Sequence, residues 1–206
     1  MRRIAFDELL SSAREIRRLR ALLSRGGLVA LPTETYYGLA VDPLHHAGVR
    51  RVFEAKGRPA ARALPVLLAT RAQLEGLGVH APEPVLERFL KIWPAPLTVV
   101  FPISRPIPAS AGERSLAVRI PASERLRHLL GAVGAVTGTS ANRSGALPLD
   151  EPDAVAAHFG QELDWLIDGG KTPGGPPSTI VDATVDPPAV LRPGAYPWLP
   201  SVGRQT

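Results

Sequence analysis

Gly27-Leu28-Val29-Ala30-Leu31-Pro32-Thr33-Glu34-Thr35-Tyr36-Tyr37-Gly38-Leu39 sets an apolar run directly against a polar, aromatic one. Leu28 to Leu31 reads as a short buried strand, and Pro32 ends it because proline has no amide hydrogen for a ladder. Thr33 to Gly38 then follows at the strand's carboxyl end. Loops in that position carry ligands in open α/β sheets.

Outward from this stretch the chain alternates between helix and strand. Upstream, Asp7 is expected to cap a helix from about Glu8 to Arg25. Its apolar stripe is Leu9, Leu10, Ile16, Leu19, Leu22 and Leu23, and Gly26-Gly27 stop it. Downstream, helices are expected over roughly 47–55, 71–77, 84–93, 123–130 and 150–159. Strands are expected near 64–68, 97–101, 116–120, 135–137, 163–167, 179–181 and 190–191. This is an α/β pattern: a mixed sheet of about seven strands with packed helices. Neither an internal repeat nor a second domain is visible. The expectation is one domain over residues 1–206, with a core of about 15–195 and a surface tail at 197–206.

Composition narrows the classes. At 45% hydrophobic and 21% charged the 206-residue chain is globular, and 22 Pro and 19 Gly are high without marking low complexity. There is no cysteine, which removes disulfides, thiolate zinc sites and cysteine nucleophiles. No apolar run approaches the ~18 residues of a membrane span. Acids at Asp7 and Glu8 interrupt the basic start before a signal peptide can develop, so a cytoplasmic protein is expected. The net charge is +5, with three lysines (Lys56, Lys91, Lys171) against 21 arginines. The basic residues are scattered, so charge alone says only that an anionic ligand is tolerated.

Several familiar sites are absent. Gly170-Lys171-Thr172 resembles the end of a phosphate-binding loop, but the required first glycine falls at Trp165. Gly138-x-Ser140-x-Asn142 lacks the last glycine of a nucleophile elbow, and no histidine presents itself as a triad partner. His45-His46 reads as a surface pair at a helix start, because no Asp/His cluster has ligand spacing.

What remains is polar loops at strand ends: 32–39, Lys56-Gly57-Arg58-Pro59, Ser140-Ala141-Asn142-Arg143-Ser144-Gly145, Pro177 to Asp182, and Leu191-Arg192-Pro193-Gly194. Each alone has a dull reading as turn chemistry or as a complement to a helix dipole. Converging at one sheet edge, they would make a cationic cleft with hydroxyl and amide donors.

Together and in order, these segments resemble the YrdC/TsaC family of threonylcarbamoyl-adenylate synthases. Pro32 to Leu39 is similar to its Pro-Thr-[Glu/Asp]-Thr-x-Tyr-Gly-Leu motif, and Lys56, Arg58, Ser140 and Asn142 to its Lys-x-Arg…Ser-x-Asn set. Trp93-Pro94-Ala95-Pro96-Leu97-Thr98 resembles Trp-Pro-Gly-Pro-Leu-Thr, with Ala for Gly. Arg119-Ile120-Pro121, Ser178 to Asp182 and Leu191 to Gly194 supply three more matches. The likeness runs over roughly 15 to 195.

The resemblance implies a twisted mixed sheet around a concave, positive cavity. It implies synthesis of threonylcarbamoyl-AMP and pyrophosphate from L-threonine, bicarbonate and ATP, with Mg2+ accompanying the ATP and no protein-bound metal. A downstream tRNA threonylcarbamoyl transferase complex would use the product, and a direct tRNA contact is left open. In that reading Lys56, Arg58, Arg62 and Arg192 cradle the triphosphate, and Ser140 and Asn142 hydrogen-bond the reacting region. Ser115, four residues before Arg119 on one strand face, touches the nucleotide. Arg119 clamps the threonine carboxylate, with Thr35, Ser140 and Ser178 beside it. Two features depart from the family: Leu67 stands where a histidine is often found, and 146–150 lacks the usual Ser/Thr. The rivals are a double-stranded RNA or tRNA-binding module without synthase activity and a paralogue making another carbamoyl-adenylate.

Overall fold

The structure is a computed structural model that describes residues 1–57 and 62–198. It opens with a strand the sequence reading missed, β1 (Arg2–Ala5), then α1 (Phe6–Ser11) and α2 (Ala13–Leu23). The single helix expected over 8–25 is therefore two. The break comes at Ser12, whose side chain accepts the Glu15 N–H and caps α2. Asp7 lies inside α1, two residues past the N-cap, which is Ala5.

After β2 (Val29–Pro32) and β3 (Tyr37–Ala40) comes α3 (His46–Lys56). The His45 ring accepts the Gly48 N–H, so it caps α3. β4 (Val66–Leu67), α4 (Arg71–Gly76), α5 (Glu83–Ile92), β5 (Leu97–Pro102), β6 (Ser115–Arg119) and α6 (Glu124–Val133) follow. The chain then runs through β7 (Val136–Thr137), β8 (Thr139–Ser140), α7 (Pro152–Phe159), β9 (Trp165–Asp168), β10 (Thr179–Asp182) and β11 (Ala189–Arg192). The helix expected to be capped by Asp150 starts at Pro152 with Glu151 as N-cap.

The mixed α/β class stands, with more strands than the sequence pattern suggested and a division into two sheets. One has the order β1-β9-β2-β3-β8, the other β11-β10-β5-β6-β4-β7. Both mix parallel and antiparallel pairs. The strands not expected are β1, which buries only Ile4, β3, whose first residues fall in the segment read as a polar loop, and β8, which has two residues.

The two sheets share one core. Leu28, Ala30, Leu39 and Val41 from the first pack in one cluster with Leu97, Val99, Phe101, Leu116 and Val118 from the second. A second cluster, including Ile4, Leu9, Leu19, Val29 and Ile167, holds α1, α2 and α6 on the outer face of the first sheet. The expected surface tail is fastened where the structure describes it. Trp198 stacks on Phe89 at 5.4 Å between ring centroids, and the Arg88 guanidinium covers Trp198 at 4.7 Å. Residues 199–206 lie outside the described residues.

Candidate functional site

Lys56 is the last residue of α3, where Gly57 turns the chain out of the helix in a left-handed conformation (φ +60°). The lysine is buried, at 3% exposure. Its ammonium donates to the Ser140 carbonyl (2.5 Å), the Asn142 carbonyl (2.8 Å) and Asn142 Oδ1 (3.2 Å). Ser140 Oγ donates to the same Oδ1 at 2.6 Å. The loop is also held by its backbone, since Ser144 N–H donates to the Lys56 carbonyl at 2.9 Å. Three of the four residues of the Lys-x-Arg…Ser-x-Asn set thus form one hydrogen-bonded cluster. The fourth, Arg58, lies outside the described residues. Arg62, just beyond it, is exposed.

The register of the first sheet explains how Ser140 comes to the quoted loop. Gly38 pairs with Ser140, and Pro32 with Tyr37, so Ser140 and residues 33–36 share one sheet end. The loop is shaped from within. Thr33 Oγ1 donates to the Tyr36 carbonyl at 2.8 Å and accepts the Thr35 N–H at 3.1 Å. The two hydroxyls of Thr33 and Thr35 are 3.2 Å apart, and the Thr35 carbonyl accepts the Gly174 N–H at 2.7 Å.

The second sheet contributes a row of side chains. Along β6, Leu116 and Val118 face the core, so Ser115, Ala117 and Arg119 face the other way. Arg119 pairs with Leu67 on one side. On the other, Val118 pairs with Val99, which sets Thr98 next along the register beside Arg119. Ile180 pairs with both Thr98 and Arg192. Arg192, Thr98 and Arg119 therefore lie in one line across the sheet. Ser178 joins them: its hydroxyl is 2.9 Å from Thr98 Oγ1, and Arg192 Nη2 donates to its carbonyl at 2.7 Å. Thr98 was not singled out from the sequence, although it ends the Trp93–Thr98 motif; only the β5–β6 register brings it to Arg119.

The sheets meet at this edge through an ion pair between Arg119 and Glu34. Arg119 is 8% exposed, and burial pushes its guanidinium pKa down to about 10, which still leaves it charged at neutral pH. Burial also lowers the pKa of Arg192. Leu67 presents its side chain to Gly138, where an added Cβ would lie 2.4 Å from Leu67 Cγ. The departure from the family's histidine is therefore filled by an apolar contact. Ser115 is not gathered with the others. It stands at the opposite end of β6, about 13 Å from Arg119 at ~3.3 Å per residue.

A lysine, two arginines, five hydroxyls and an amide, divided between the two sheets, can hold phosphate and carboxylate oxygens. Comparison with known proteins agrees with this chemistry. Residues 21–194 match the Sua5/YciO/YrdC family model, described as telomere recombination. The threonylcarbamoyl-AMP synthase of Pyrococcus abyssi (strain GE5 / Orsay) is 40% identical over 186 residues, 89% of this chain and 55% of that protein. That of Methylobacillus flagellatus is 35% identical over 181 residues, 86% of this chain and 98% of that one. The crystal structure of P. abyssi Sua5 complexed with L-threonine has a TM-score of 0.83 at 37% identity, covering 95% of this chain and 58% of the other. This chain spans a little over half the length of the P. abyssi protein and of the Bacillus subtilis (strain 168) synthase, which is 35% identical. The family match covers the whole cluster from Thr33 to Arg192, and the chain belongs to the Sua5/YciO/YrdC family.

Proposed function

We propose that the protein is an L-threonylcarbamoyladenylate synthase, a nucleotidyltransferase that joins L-threonine, bicarbonate and ATP and releases pyrophosphate. The observation that carries this reading is the buried Lys56–Ser140–Asn142 cluster on the first sheet together with the Arg119–Ser178–Arg192 row on the second, the two sheets meeting where the Glu34 loop reaches Arg119. Family relatives carrying that activity in their names, one of them covered over 98% of its length, support it.

The hard step is attack of a weakly nucleophilic carbamate oxygen on the α-phosphorus while negative charge grows on the departing pyrophosphate. Two anions must approach, so the protein's work is to cancel charge and hold geometry. Lys56, Arg58, Arg62 and Arg192 are assigned to the triphosphate, and Ser140 and Asn142 to the carbamoyl and α-phosphate region. Arg119 takes the threonine carboxylate, with Thr35 and Ser178 for its polar groups. Ser115 suits the far end of an extended nucleotide better than its phosphates. Mg2+ accompanying the ATP would supply further charge neutralisation beside Lys56 and Arg192. The product passes to a tRNA threonylcarbamoyl transferase complex in the cytoplasm, residues 1–206 acting as one domain.

Double-stranded RNA binding is the weaker reading for this edge. Lys56 and Arg119 are buried cations, which suits a small anionic ligand and leaves little for a duplex to touch. The test is incubation of the purified protein with ATP, bicarbonate and labelled L-threonine. Threonine-dependent pyrophosphate and the labelled adenylate are expected; salt-sensitive RNA binding with no pyrophosphate would reverse the choice.

A further inference from the structure

Arg14, Arg17 and Arg20 recur every third residue along α2, which sets them side by side on one helix ridge, and Arg25 follows two residues past the helix. All four are exposed. None makes an ion pair among the described residues, because the helix's one acid, Glu15, is taken by Arg2 and Arg18. Like charges one turn apart repel and weaken a helix.

The row runs into a cleft. Arg20 and Leu23 help to line a cavity of about 460 Å³ together with Leu77 after α4, Val133 of α6 and Leu44 of the loop after β3. Leu44 is 50% exposed, whereas Leu23, Leu77 and Val133 are buried. Asp42, the one acid in the lining, accepts the Leu44 N–H on Oδ1 at 2.8 Å and so fixes the loop that carries this leucine. The cleft is remote from the candidate site. Its loop leaves β3 beyond Ala40, the strand end opposite Tyr37 and the Thr33–Tyr36 loop.

We infer that α2 and this cleft form a docking surface for an acidic polypeptide segment, one apolar side chain of which fills the cleft while its carboxylates pair with the arginine row. From Arg14 to Leu23 the helix rises roughly 14 Å at ~1.5 Å per residue, so the occupant is an extended chain and not a single small anion. Carboxylates match guanidinium groups in a bidentate fork, and an apolar pocket beside a charged rim is the anatomy of a protein interface. Phosphates would suit the arginines equally well. The cleft decides between them: its walls are aliphatic and carry no aromatic ring on which a base could stack.

Fluorescence anisotropy tests this with a labelled peptide of two leucines followed by five glutamates, and with the same residues in reverse order. The wild-type protein should bind at least one of the two. Replacing the leucines of that peptide by serine, or its glutamates by glutamine, should weaken binding at least about tenfold. The double variant Arg17→Glu, Arg20→Glu and the single variant Leu44→Ser should each weaken it about tenfold and keep the wild-type Tm, since all three side chains are exposed. Should a variant melt early, the peptide series on the wild type decides alone. Binding of neither peptide overturns the inference. Equal affinity for the leucine and serine peptides, or an unaffected Leu44→Ser, removes the cleft from it and overturns it too. A 20-base-pair RNA duplex that binds more tightly than either peptide, and is lost in the arginine double variant, gives the surface to nucleic acid instead.

Discussion

The proposed function divides the labour between two buried cations, Lys56 and Arg119, and substitution should separate them. Lys56 is engaged with the Ser140 and Asn142 carbonyls and with Asn142 Oδ1, so it fixes the loop beside the phosphate region of the proposed function. Lys56→Ala should lower kcat by about 100-fold or more, even at saturating threonine, since charge stabilisation of a transition state is lost. The proposed function places Arg119 in the amino-acid half. Arg119→Ala should raise the KM for threonine by roughly tenfold to a hundredfold with a smaller effect on kcat. Steady-state kinetics with threonine and ATP varied in turn checks both; the opposite split would exchange the two assignments. These side chains were legible as candidates because lysine and arginine at strand and helix ends have few structural reasons to be buried. Their mutual distances were not. Arg119 meets Thr98 only through the β5–β6 register, which no local sequence period encodes. Ser115 shows the converse, since a shared strand face says nothing about separation along the strand.

At the scale of elements, two close approaches to backbone hold the fold around the site. Gly194 lies against the strand end that carries Ser178. A Cβ there would stand 2.3 Å from the Pro177 carbonyl oxygen and 2.6 Å from the Thr179 nitrogen. Both obstacles are main chain and cannot rotate away. Gly194→Ala should therefore lower the Tm by roughly 4–10 °C, from an overpacking cost of about 1–3 kcal/mol. It should also weaken nucleotide binding, because Ser178 and Arg192 would shift together. Thermal melts with and without ATP measure both effects. The other approach is Tyr37 of β3, whose hydroxyl donates to the Gly170 carbonyl at 2.7 Å and accepts the Gly169 N–H at 3.2 Å. Burial raises its pKa from 10.0 to about 12. Between those values the unfolded chain releases a proton that the folded chain keeps. Stability from this group is whole below pH 10 and falls as pH climbs through that window. Tyr37→Phe should lower the Tm at pH 8 and flatten its decline above pH 10; parallel pH profiles for the two proteins would rule the tyrosine out. Long periodic elements such as α5 were readable from sequence, whereas β1 was not. Arg2 and Arg3 disguise it, and its stability comes from pairing with β9, more than 160 residues away.

The whole molecule joins these parts through a shared interior. Leu39 of the first sheet and Val99, Phe101 and Val118 of the second are fully buried in the same cluster, so neither sheet can lose its packing alone. The proposed ligand groups are split the same way, with Thr35 and Ser140 from the first sheet's edge and Arg119, Ser178 and Arg192 from the second's. A ligand held by both sheets stabilises the assembled state and gains nothing from either sheet in isolation. Calorimetry should therefore show one cooperative transition, with calorimetric and van't Hoff enthalpies equal. L-Threonine at about 100 times its Kd should move that entire transition up by roughly 5–10 °C, corresponding to about 2.7 kcal/mol of linkage. Leu39→Ala, which opens the common core, should cost about 2–5 kcal/mol and lower the same single transition. Two resolved transitions, with threonine shifting only one, would mean that the sheets unfold independently and that the amino-acid subsite belongs to one of them alone.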